Sequence, residues 1–307
     1  MQEITNRKEA AKYLNISENE IKYFYKYSNS SEWQYTDLKG NSHLFQLKGS
    51  EWIELSKNIK AKCICFHLHN GDWEYEDESG YRHLLRLEND QWVELTENVN
   101  AIFVRTFKNK DWEYEDGNGY YHLFRKINGE WIELTKGFEA IEVNPFNNGD
   151  WYYTDKYEYQ HLFRSINNKW IELTKNIKTT CVDSCDNGDW GYFNKNEDYF
   201  LVDKNGYCHL FREVYEDGYD LFKEADRIEL TKGIKTKEIN SFDNGDWSYR
   251  DEKGYWHLFR NIDDEWIELT KDIKAIKVNP SITGQWEYTS ENGERYLFDY
   301  DNKPIKK

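Results

Sequence analysis

The sequence predicts an all-β protein, a seven-bladed β-propeller of four-stranded antiparallel blades. Three observations lead to this fold class. First, a tryptophan recurs in steps of 40, 39, 39, 39, 57 and 39 residues, at Trp33, Trp73, Trp112, Trp151, Trp190, Trp247 and Trp286. Second, each period contains four short β-branched and aromatic runs separated by turn residues. Third, the chain ends carry complementary pieces of one repeat, which favours a closed ring over an open stack of sheets, although the spacing alone allows both.

The repeat is clearest between Ala101 and Thr135. Its four predicted strands read AIFVRTF, DWEYED, YYHLFRKI and WIELT. Turns separate them at Asn109-Lys110, where sister copies have Asn-Gly, at Gly117-Asn118-Gly119 and at Asn128-Gly129-Glu130. Strands joined in this way form an antiparallel meander, and the predicted blades span approximately 20–56, 61–96, 101–135, 140–174, 179–231, 236–270 and 275–305.

The two chain ends predict how the ring closes. The last copy runs out at Ile305, where its fourth strand should begin, whereas the segment Tyr13–Asn19 precedes the first copy and matches Trp92–Asn98. We therefore expect residues 13–17 to supply the missing outer strand, with Gln2–Thr5 as a competing closing strand. Residues 1–12 are then a short helical leader, and residues 13–307 form a single domain.

The pattern F-x-N-G-D-W-x-Y-x-D-x-x-G-x-x-H-L-F-R, best seen from Ala140 to Thr174, resembles the TolB-type and WD40-type propeller repeats. The resemblance implies a rigid platform for partners. The Gly-His opening and Trp-Asp ending of WD40 repeats are missing, so no residues of that family's tetrad are carried over. Residues 6–21 also resemble the first half of an excisionase-type helix-turn-helix, which would imply DNA binding. The same residues lie in register with the blade repeat, and the chain is acidic where a DNA-binding protein would be basic.

Composition narrows the class of protein. The 307 residues are 38% hydrophobic and 17% aromatic, with mean hydropathy -1.00, so we expect a core built from large rings. No apolar run is long enough to span a membrane, and no secretory leader follows Met1. Five cysteines, an odd number at non-repeating positions, argue against a disulfide framework. These observations predict a monomeric cytoplasmic protein without a cofactor.

Tryptophan and histidine occupy fixed slots of the repeat. Besides the second-strand set, tryptophans recur in the fourth strand at Trp52, Trp92, Trp131, Trp170 and Trp266. One slot of the third strand holds His43, His83, His122, His161, His209 and His257. The tryptophans could be platforms for sugars, but a position repeated in every blade favours packing between blades. For the histidines we predict a structural hydrogen bond to a neighbouring strand or to the threonine of ELT.

One local cluster departs from the repeat, namely Cys63, Cys65, His67 and His69. Alternation along a strand would place all four on one face. They span roughly 20 Å at ~3.3 Å per residue, so they cannot all share one zinc ion, although His67 and His69 could supply two ligands. The cluster is a weak metal candidate, and Cys181 with Cys185 has similar standing.

The fifth copy is the longest. Trp190 and His209 are 19 residues apart instead of ten, and His209 and Arg227 are 18 apart instead of nine. We interpret both excesses as lengthened turns. Aromatic residues in long loops suggest a contact surface for a protein partner, whereas a longer solvated hairpin is the alternative. The predicted contact residues are Tyr199, Phe200, Tyr215, Asp217, Tyr219, Asp220 and Phe222.

Charge predicts the kind of partner. The net charge is -16, and an acid stands before most second-strand tryptophans, at Asp72, Asp111, Asp150, Asp189 and Asp246. Fanned around a ring, these acids would form an acidic rim, which disfavours nucleic acid and anionic membranes and favours a basic protein partner.

The sequence favours a non-enzymatic binding platform. It contains no G-x-S-x-G elbow, phosphate-cradling glycine loop or H-E-x-x-H motif, although a propeller hydrolase built from Asp and Glu remains open. The alternatives to a platform for a basic protein are a carbohydrate-binding propeller lectin and an acidic inhibitor of a nucleic-acid-binding enzyme.

Overall fold

The computed structural model describes residues 4–27, 32–57, 59–67, 71–89, 91–214, 226–262, 265–280, 285–298 and 304–306. The chain divides into two compact units, residues 1–147 and 148–307. Both consist almost entirely of antiparallel strands, most of them in four-stranded meanders. The predicted all-β antiparallel architecture is therefore confirmed.

Unit 1 contains one helix, a 3-10 turn and thirteen strands among its described residues. The three complete meanders have the strand orders β1-β2-β3-β4, β5-β6-β7-β8 and β9-β10-β11-β12. The elements are α1 (Arg7–Leu14), the 3-10 turn (Glu18–Glu20), β1 (Ile21–Lys26), β2 (Glu32–Asp37), β3 (Ser42–Lys48), β4 (Glu51–Glu54), β5 (Cys63–His67), β6 (Asp72–Glu76), β7 (Arg82–Glu88), β8 (Gln91–Glu94), β9 (Phe103–Thr106), β10 (Trp112–Glu115), β11 (Tyr121–Ile127), β12 (Glu130–Glu133) and β13 (Glu142–Pro145).

Unit 2 continues the same alternation of short and longer strands. Its elements are β14 (Trp151–Thr154), β15 (Gln160–Ile166), β16 (Lys169–Glu172), β17 (Cys181–Ser184), β18 (Trp190–Phe193), β19 (Tyr199–Val202), β20 (Cys208–Val214), β21 (Asp226–Glu229), β22 (Ile239–Ser241), β23 (Trp247–Arg250), β24 (Trp256–Ile262), β25 (Glu265–Glu268), β26 (Ala275–Pro280), β27 (Trp286–Ser290), β28 (Arg295–Phe298) and β29 (Pro304–Lys306).

The two faces of each sheet differ because side chains alternate along a strand. One face, which we call the tryptophan face, carries the second-strand tryptophan with the tyrosine and histidine of the repeat. The opposite face carries the leucine that follows the histidine and the arginine two residues later, and we call it the arginine face. In both units the arginine face of one sheet packs against the tryptophan face of the next, as Leu44 and Leu55 do against Trp73 and Tyr75.

A backbone hydrogen bond joins each sheet to the next at a small buried residue. In unit 1 the N–H groups of Ser42 and Arg82 donate to the carbonyls of Ala61 (2.6 Å) and Ala101 (2.8 Å). In unit 2 the same place is taken by Thr179, Thr236 and Ala275, which are at most 3% exposed. We infer that the slot holds alanine or threonine because neighbouring backbones approach too closely there for a larger side chain.

The N-terminus forms a helical cap instead of the predicted closing strand. Asn6 accepts a hydrogen bond from the N–H of Glu9 at the start of α1, and Asn15 ends the helix in a left-handed conformation. Ala10 and Ala11 pack with Trp33 on the tryptophan face of the first sheet. The predicted strand 13–17 is wrong, because its first two residues lie in α1. Within residues 4–27, α1 is followed only by the 3-10 turn and β1, so no helix-turn-helix is formed.

The last repeat obtains its fourth strand from its own C-terminus. In β29, Ile305 lies opposite Leu297 of β28, which completes the order β26-β27-β28-β29. The predicted gap in this repeat is therefore filled locally. A single bridge between Trp256 and Ala275 also merges the sixth and seventh repeats into one eight-stranded sheet. The seven repeats therefore do not form seven separate four-stranded sheets.

The fifth repeat contains an additional strand where the sequence predicts a longer turn. Its sheet has the order β17-β18-β19-β20-β21, and β19 lies between the tryptophan strand and the histidine strand. Leu201 of β19 is opposite His209, as Tyr75 is opposite His83 in the second repeat. The predicted contact residues fall into two groups. Tyr199 and Phe200 lie in β19, whereas residues 215, 217, 219, 220 and 222 lie outside the described part of the chain.

The helical cap leads to a first prediction. We expect Ala10→Asp to lower the free energy of unfolding by at least about 2 kcal/mol, because it places a charge in a fully buried site against Trp33. The measurement is equilibrium urea denaturation, with Lys8→Asp on the exposed side of the same helix as the control. Equal stability of the two variants would show that α1 does not cap the first sheet.

Candidate functional site

An ion pair at least three-quarters buried recurs on the arginine face of five repeats. The aspartate before the second strand and the arginine of the third strand are always 14 residues apart. The pairs are Asp72–Arg86, Asp111–Arg125, Asp150–Arg164, Asp198–Arg212 and Asp246–Arg260. The five aspartates are between 1% and 4% exposed. Four of the five acids predicted to form an acidic rim are therefore buried and neutralised, so that prediction is wrong for them.

The fifth predicted rim acid, Asp189, does not pair with the arginine of its repeat, because the inserted strand β19 lies between them. Asp198 takes the position beside the arginine, and Tyr199 takes that of the tryptophan. Asp189 instead accepts hydrogen bonds from the N–H of Lys204 (2.8 Å) and the side-chain amide of Asn187 (2.8 Å). It is therefore a turn residue.

The ion pair also contacts the following repeat. Arg86 donates to both carboxylate oxygens of Asp72 at 2.6 to 3.1 Å, and its remaining nitrogen donates to the carbonyl of Lys110 at 2.7 Å. In unit 2, Arg212 donates in the same way to the carbonyl of Gly245 (2.8 Å). Each acceptor lies in the turn between the first two strands of the next repeat, so one guanidinium connects two repeats.

The histidine slot forms a second repeated polar cluster, on the tryptophan face. In all six cases Nδ1 contacts the glutamate of the fourth strand at 2.7 to 2.9 Å. In five repeats Nε2 lies 3.3 to 3.7 Å from an aspartate of the second-to-third turn. The Nδ1 contact is to a neighbouring strand, which is one of the two predicted partners. The other, the threonine of ELT, is not the partner, because Thr96 accepts from the N–H of Leu84 (2.9 Å).

His83 shows how this cluster affects protonation. Its ring stacks on Tyr75 with centroids 4.5 Å apart. The hydrogen bond to Glu94 raises the pKa of His83 and outweighs the lowering caused by burial. Burial works against ionisation of Asp77, but hydrogen bonds from the N–H of Tyr81 and from His83 lower its pKa overall. The surroundings of His83 therefore favour its protonated form between the two carboxylates.

The second-strand tryptophans lie inside the packing layers of both units. All seven are at most 9% exposed, and Trp112, for example, stacks on Phe124 with centroids 4.3 Å apart. A sugar platform needs an accessible ring face, so these seven rings do not form one. Phe200, one of the predicted contact residues, is likewise only 4% exposed and packs with Leu210 and Trp247.

The predicted metal candidates are only partly described. Cys63 and Cys65 are exposed free thiols whose sulfur atoms lie 3.5 Å apart. Burial and the neighbouring Cys63 raise the pKa of the Cys65 thiol to about 11. The side chain of His67 and all of His69 lie outside the described structure. Within the described residues, no group of three or more His, Cys, Asp or Glu side chains could hold a metal ion.

The described part of unit 2 contains an open cleft of about 540 Å³ beside β22 and the β23–β24 turn. Its basic residues are Lys235, Lys237, Lys253 and Arg250. Acidic side chains alternate with them, and Arg250 lies 3.4 Å from Glu238. Mixed charge of this kind gives the cleft no strong preference for a cation or an anion.

An exposed aliphatic residue recurs at the outer edge of six sheets, and sequence reasoning missed it. It stands between the tryptophan and the glutamate of the fourth strand. In unit 1 the slot holds Ile53, Val93 and Ile132, which are 42%, 38% and 40% exposed, and in unit 2 it holds Ile171, Ile228 and Ile267. We call these residues the aliphatic slot. The signal is visible in the sequence as the aliphatic residue before the glutamate of W-I-E-L, which reads W-V-E-L in the second repeat and R-I-E-L in the fifth.

Comparison with known proteins gives no family. No protein-family model matches the sequence, and no curated protein matches it. Among solved structures, the chain is similar to Saccharomyces cerevisiae Sqt1, with a TM-score of 0.29, 10% identity and coverage of 94% of this chain and 84% of that chain. It is also similar to the WD40 propeller domain of Doa1 and the C-terminal WD40 domain of Sif2. Both have a TM-score of 0.27, 11% identity and coverage of 92% of this chain, and the match covers 96% and 82% of the respective neighbour.

Scores of this size are too low to assign the fold or function of the chain.

The described part of the structure contains no helix that is long and apolar enough to cross a membrane.

The ion pair leads to a second prediction. We expect Asp72→Ala to lower the free energy of unfolding by about 3–5 kcal/mol, because it leaves the buried guanidinium of Arg86 without its partner. The double variant Asp72→Ala/Arg86→Met should cost less than the sum of the two single changes, since it removes both charges. A double-mutant cycle by urea denaturation measures this coupling, and strictly additive effects would contradict it.

The histidine cluster leads to a third prediction. Because the pKa of folded His83 is raised, its stabilisation is fully present below the unfolded pKa of about 6.5 and is lost as pH rises through the folded pKa. The loss of stability in His83→Gln should therefore be greater at about pH 5.5 than at about pH 8.5, by up to about 1 kcal/mol for this partly exposed pair. Denaturation at both pH values tests this, and a larger loss at high pH would show the opposite linkage.

Proposed function

We propose that this protein is a non-enzymatic repeat platform that binds a protein partner through the aliphatic slot. The observation that carries the proposal is the exposure of the same aliphatic residue on the fourth strand of every sheet from the first to the sixth. Exposed apolar residues mark protein-binding surfaces when one partner can cover several of them together, so the proposal requires a partner that spans the slots of neighbouring sheets.

Strand stability alone does not explain the slot. Its side chain lies on the edge strand, directly across from Arg86 in the case of Val93 and from Arg125 in the case of Ile132. Threonine has comparable strand propensity and would suit a solvent-facing position. Edge strands are also commonly protected by charged residues, yet this slot is aliphatic in all six repeats. A partner that buries the slot would account for the choice.

The residues around the slot favour a partner with basic groups. Glu51 and Glu130 lie two positions before Ile53 and Ile132 on the same exposed side of their strands. The same position holds Gln91 in the second repeat and Lys169 in the fourth, so carboxylates flank only part of the slot. The Asp–Arg pairs cancel their own charge, so the net charge of -16 must be carried by other carboxylates such as these. We therefore infer a partner whose apolar strip is flanked by lysine or arginine.

The test, our fourth prediction, compares two variants of unit 1, each with three aliphatic residues changed to threonine. The slot variant carries Ile53→Thr, Val93→Thr and Ile132→Thr, which retains β-branching. The control carries Leu38→Thr, Ile102→Thr and Ile141→Thr, which replace exposed aliphatic residues outside the fourth strands, between 39% and 65% exposed. We expect the slot variant to lose its partner by at least about tenfold, the equivalent of about 1.4 kcal/mol, while the control retains it.

Binding is measured in two stages. Partners are captured from an extract of the source cells with each immobilised protein, and the purified partner is then titrated against all three. Unchanged thermal unfolding of both variants is required. Equal retention by the slot variant, competition by free glycans, or capture that requires nucleic acid would each overturn the proposal. Weaker binding at higher salt would support the basic flank.

A further inference from the structure

Two thiols on the edge of the second sheet form a pair that the repeat does not require. Cys63 and Cys65 lie in β5 and project from the same side of it, since they are two residues apart. Both are exposed, both are free, and their sulfur atoms are 3.5 Å apart. The corresponding positions of the third repeat hold Phe103 and Arg105, so the pair is particular to this strand.

Strand geometry favours two thiols over a disulfide at this place. Two steps along a strand separate the Cα atoms by about 6.6 Å, which is close to the upper limit of about 6.8 Å for a disulfide. The strand cannot easily shorten, because Cys63 and Cys65 are paired with Glu76 and Glu74 of β6 in a regular ladder. A bridging ion avoids this distortion, because it can take up a wider separation of the sulfur atoms than a direct bond can.

One guanidinium, that of Arg82, lies near the two thiols and favours their ionised forms, against the opposing carboxylate of Glu74. Arg82 interacts electrostatically with both cysteines, and it is held near them by Glu74 at 2.5 Å and Glu76 at 3.5 Å. A cation between two thiolates also removes the repulsion that they exert on each other. Among the described residues the two sulfur atoms are the available ligands, which favours an ion that two thiolates can hold.

We propose that Cys63 and Cys65 bind one Cu(I) ion as a two-coordinate bis-thiolate. Both thiols release their protons to solvent, two S–Cu bonds form, and no electron is transferred, so the occupied site carries one negative charge. Soft thiolates bind Cu(I) strongly. Protein zinc sites use three or four protein ligands, and the described residues offer no group of three or more. This site is independent of the proposed partner-binding function.

The test, our fifth prediction, is an anaerobic titration of the reduced protein with Cu(I) against a chromophoric Cu(I) chelator. We expect one tightly held Cu(I) per chain, with two sulfur donors in X-ray absorption. Cys63→Ser and Cys65→Ser should each weaken binding by more than about 100-fold, since loss of a ligand should exceed the effect of losing an outer contact. The controls are Cys181→Ser/Cys185→Ser, Cys208→Ser and His67→Ala/His69→Ala, which should all retain the ion.

Several results would overturn the assignment. Titration of the denatured protein should find five free thiols, and three would mean that the pair is oxidised. Loss of Cu(I) in the histidine variant would show that nitrogen ligands are needed. Equal loss in the Cys181→Ser/Cys185→Ser variant would place the ion elsewhere, and comparable affinity for Zn²⁺ would indicate a larger ligand set. Unchanged thermal unfolding of the serine variants excludes misfolding as the cause.

Discussion

The buried Asp–Arg pair is the interaction on which the packing of consecutive repeats most depends. It joins the second and third strands of one sheet, as Arg86 does with Asp72, and the same guanidinium donates to the carbonyl of Lys110 in the next repeat. A buried cation without its partners is costly, so only one placement of the next repeat satisfies all its donors. The stacked aromatic rings supply burial, but they tolerate sliding more readily than directional hydrogen bonds do. The ion pair thus explains how layers of similar rings acquire a defined register.

The fifth repeat shows that this constraint outweighs the tryptophan slot. Its inserted strand β19 contains Tyr199 and directly follows Asp198, and it displaces β18 with Trp190 from the side of the histidine strand. The spacing between Asp198 and Arg212 nevertheless stays at 14 residues. The inserted residues therefore widen the sheet between its first strand and the ion pair, while Arg212 still reaches the carbonyl of Gly245 in the sixth repeat. A repeat can gain a strand as long as its arginine face is preserved.

Sequence reasoning found the strands and turns because alternation and Asn-Gly or Gly-rich turns are local signals. The prediction of an acidic rim was wrong because the arginine partner of each aspartate lies on another strand. Without that pairing, an acidic side chain in a turn is expected to be solvent-exposed. The pairing was recoverable from the first copy, where both members change together to Glu32 and Gln46, which still contact each other at 2.8 Å. At the N-terminus the predicted helical leader overlaps α1, but the strand predicted from residue 13 is wrong. The match of Tyr13–Asn19 to the repeat competes there with the helical spacing of Ala10, Ala11 and Leu14.

Some positions of the repeat are buried and others are exposed, and this difference limits which residues can be specific for a partner. The tryptophans, histidines and ion pairs must satisfy the same contacts in each repeat, so they cannot be altered for a partner without loss of packing. The side chain of the aliphatic slot is partly exposed at a sheet edge, so we expect a change there to disturb packing less than a change at the buried positions. Glu51 and Glu130 lie beside the slot and add negative charge, and the described ion pairs do not include either of them. Apolar contacts supply most of the affinity of such surfaces, and charge supplies orientation and rate, so a partner should be chosen by the shape of its apolar strip and oriented by its basic flank.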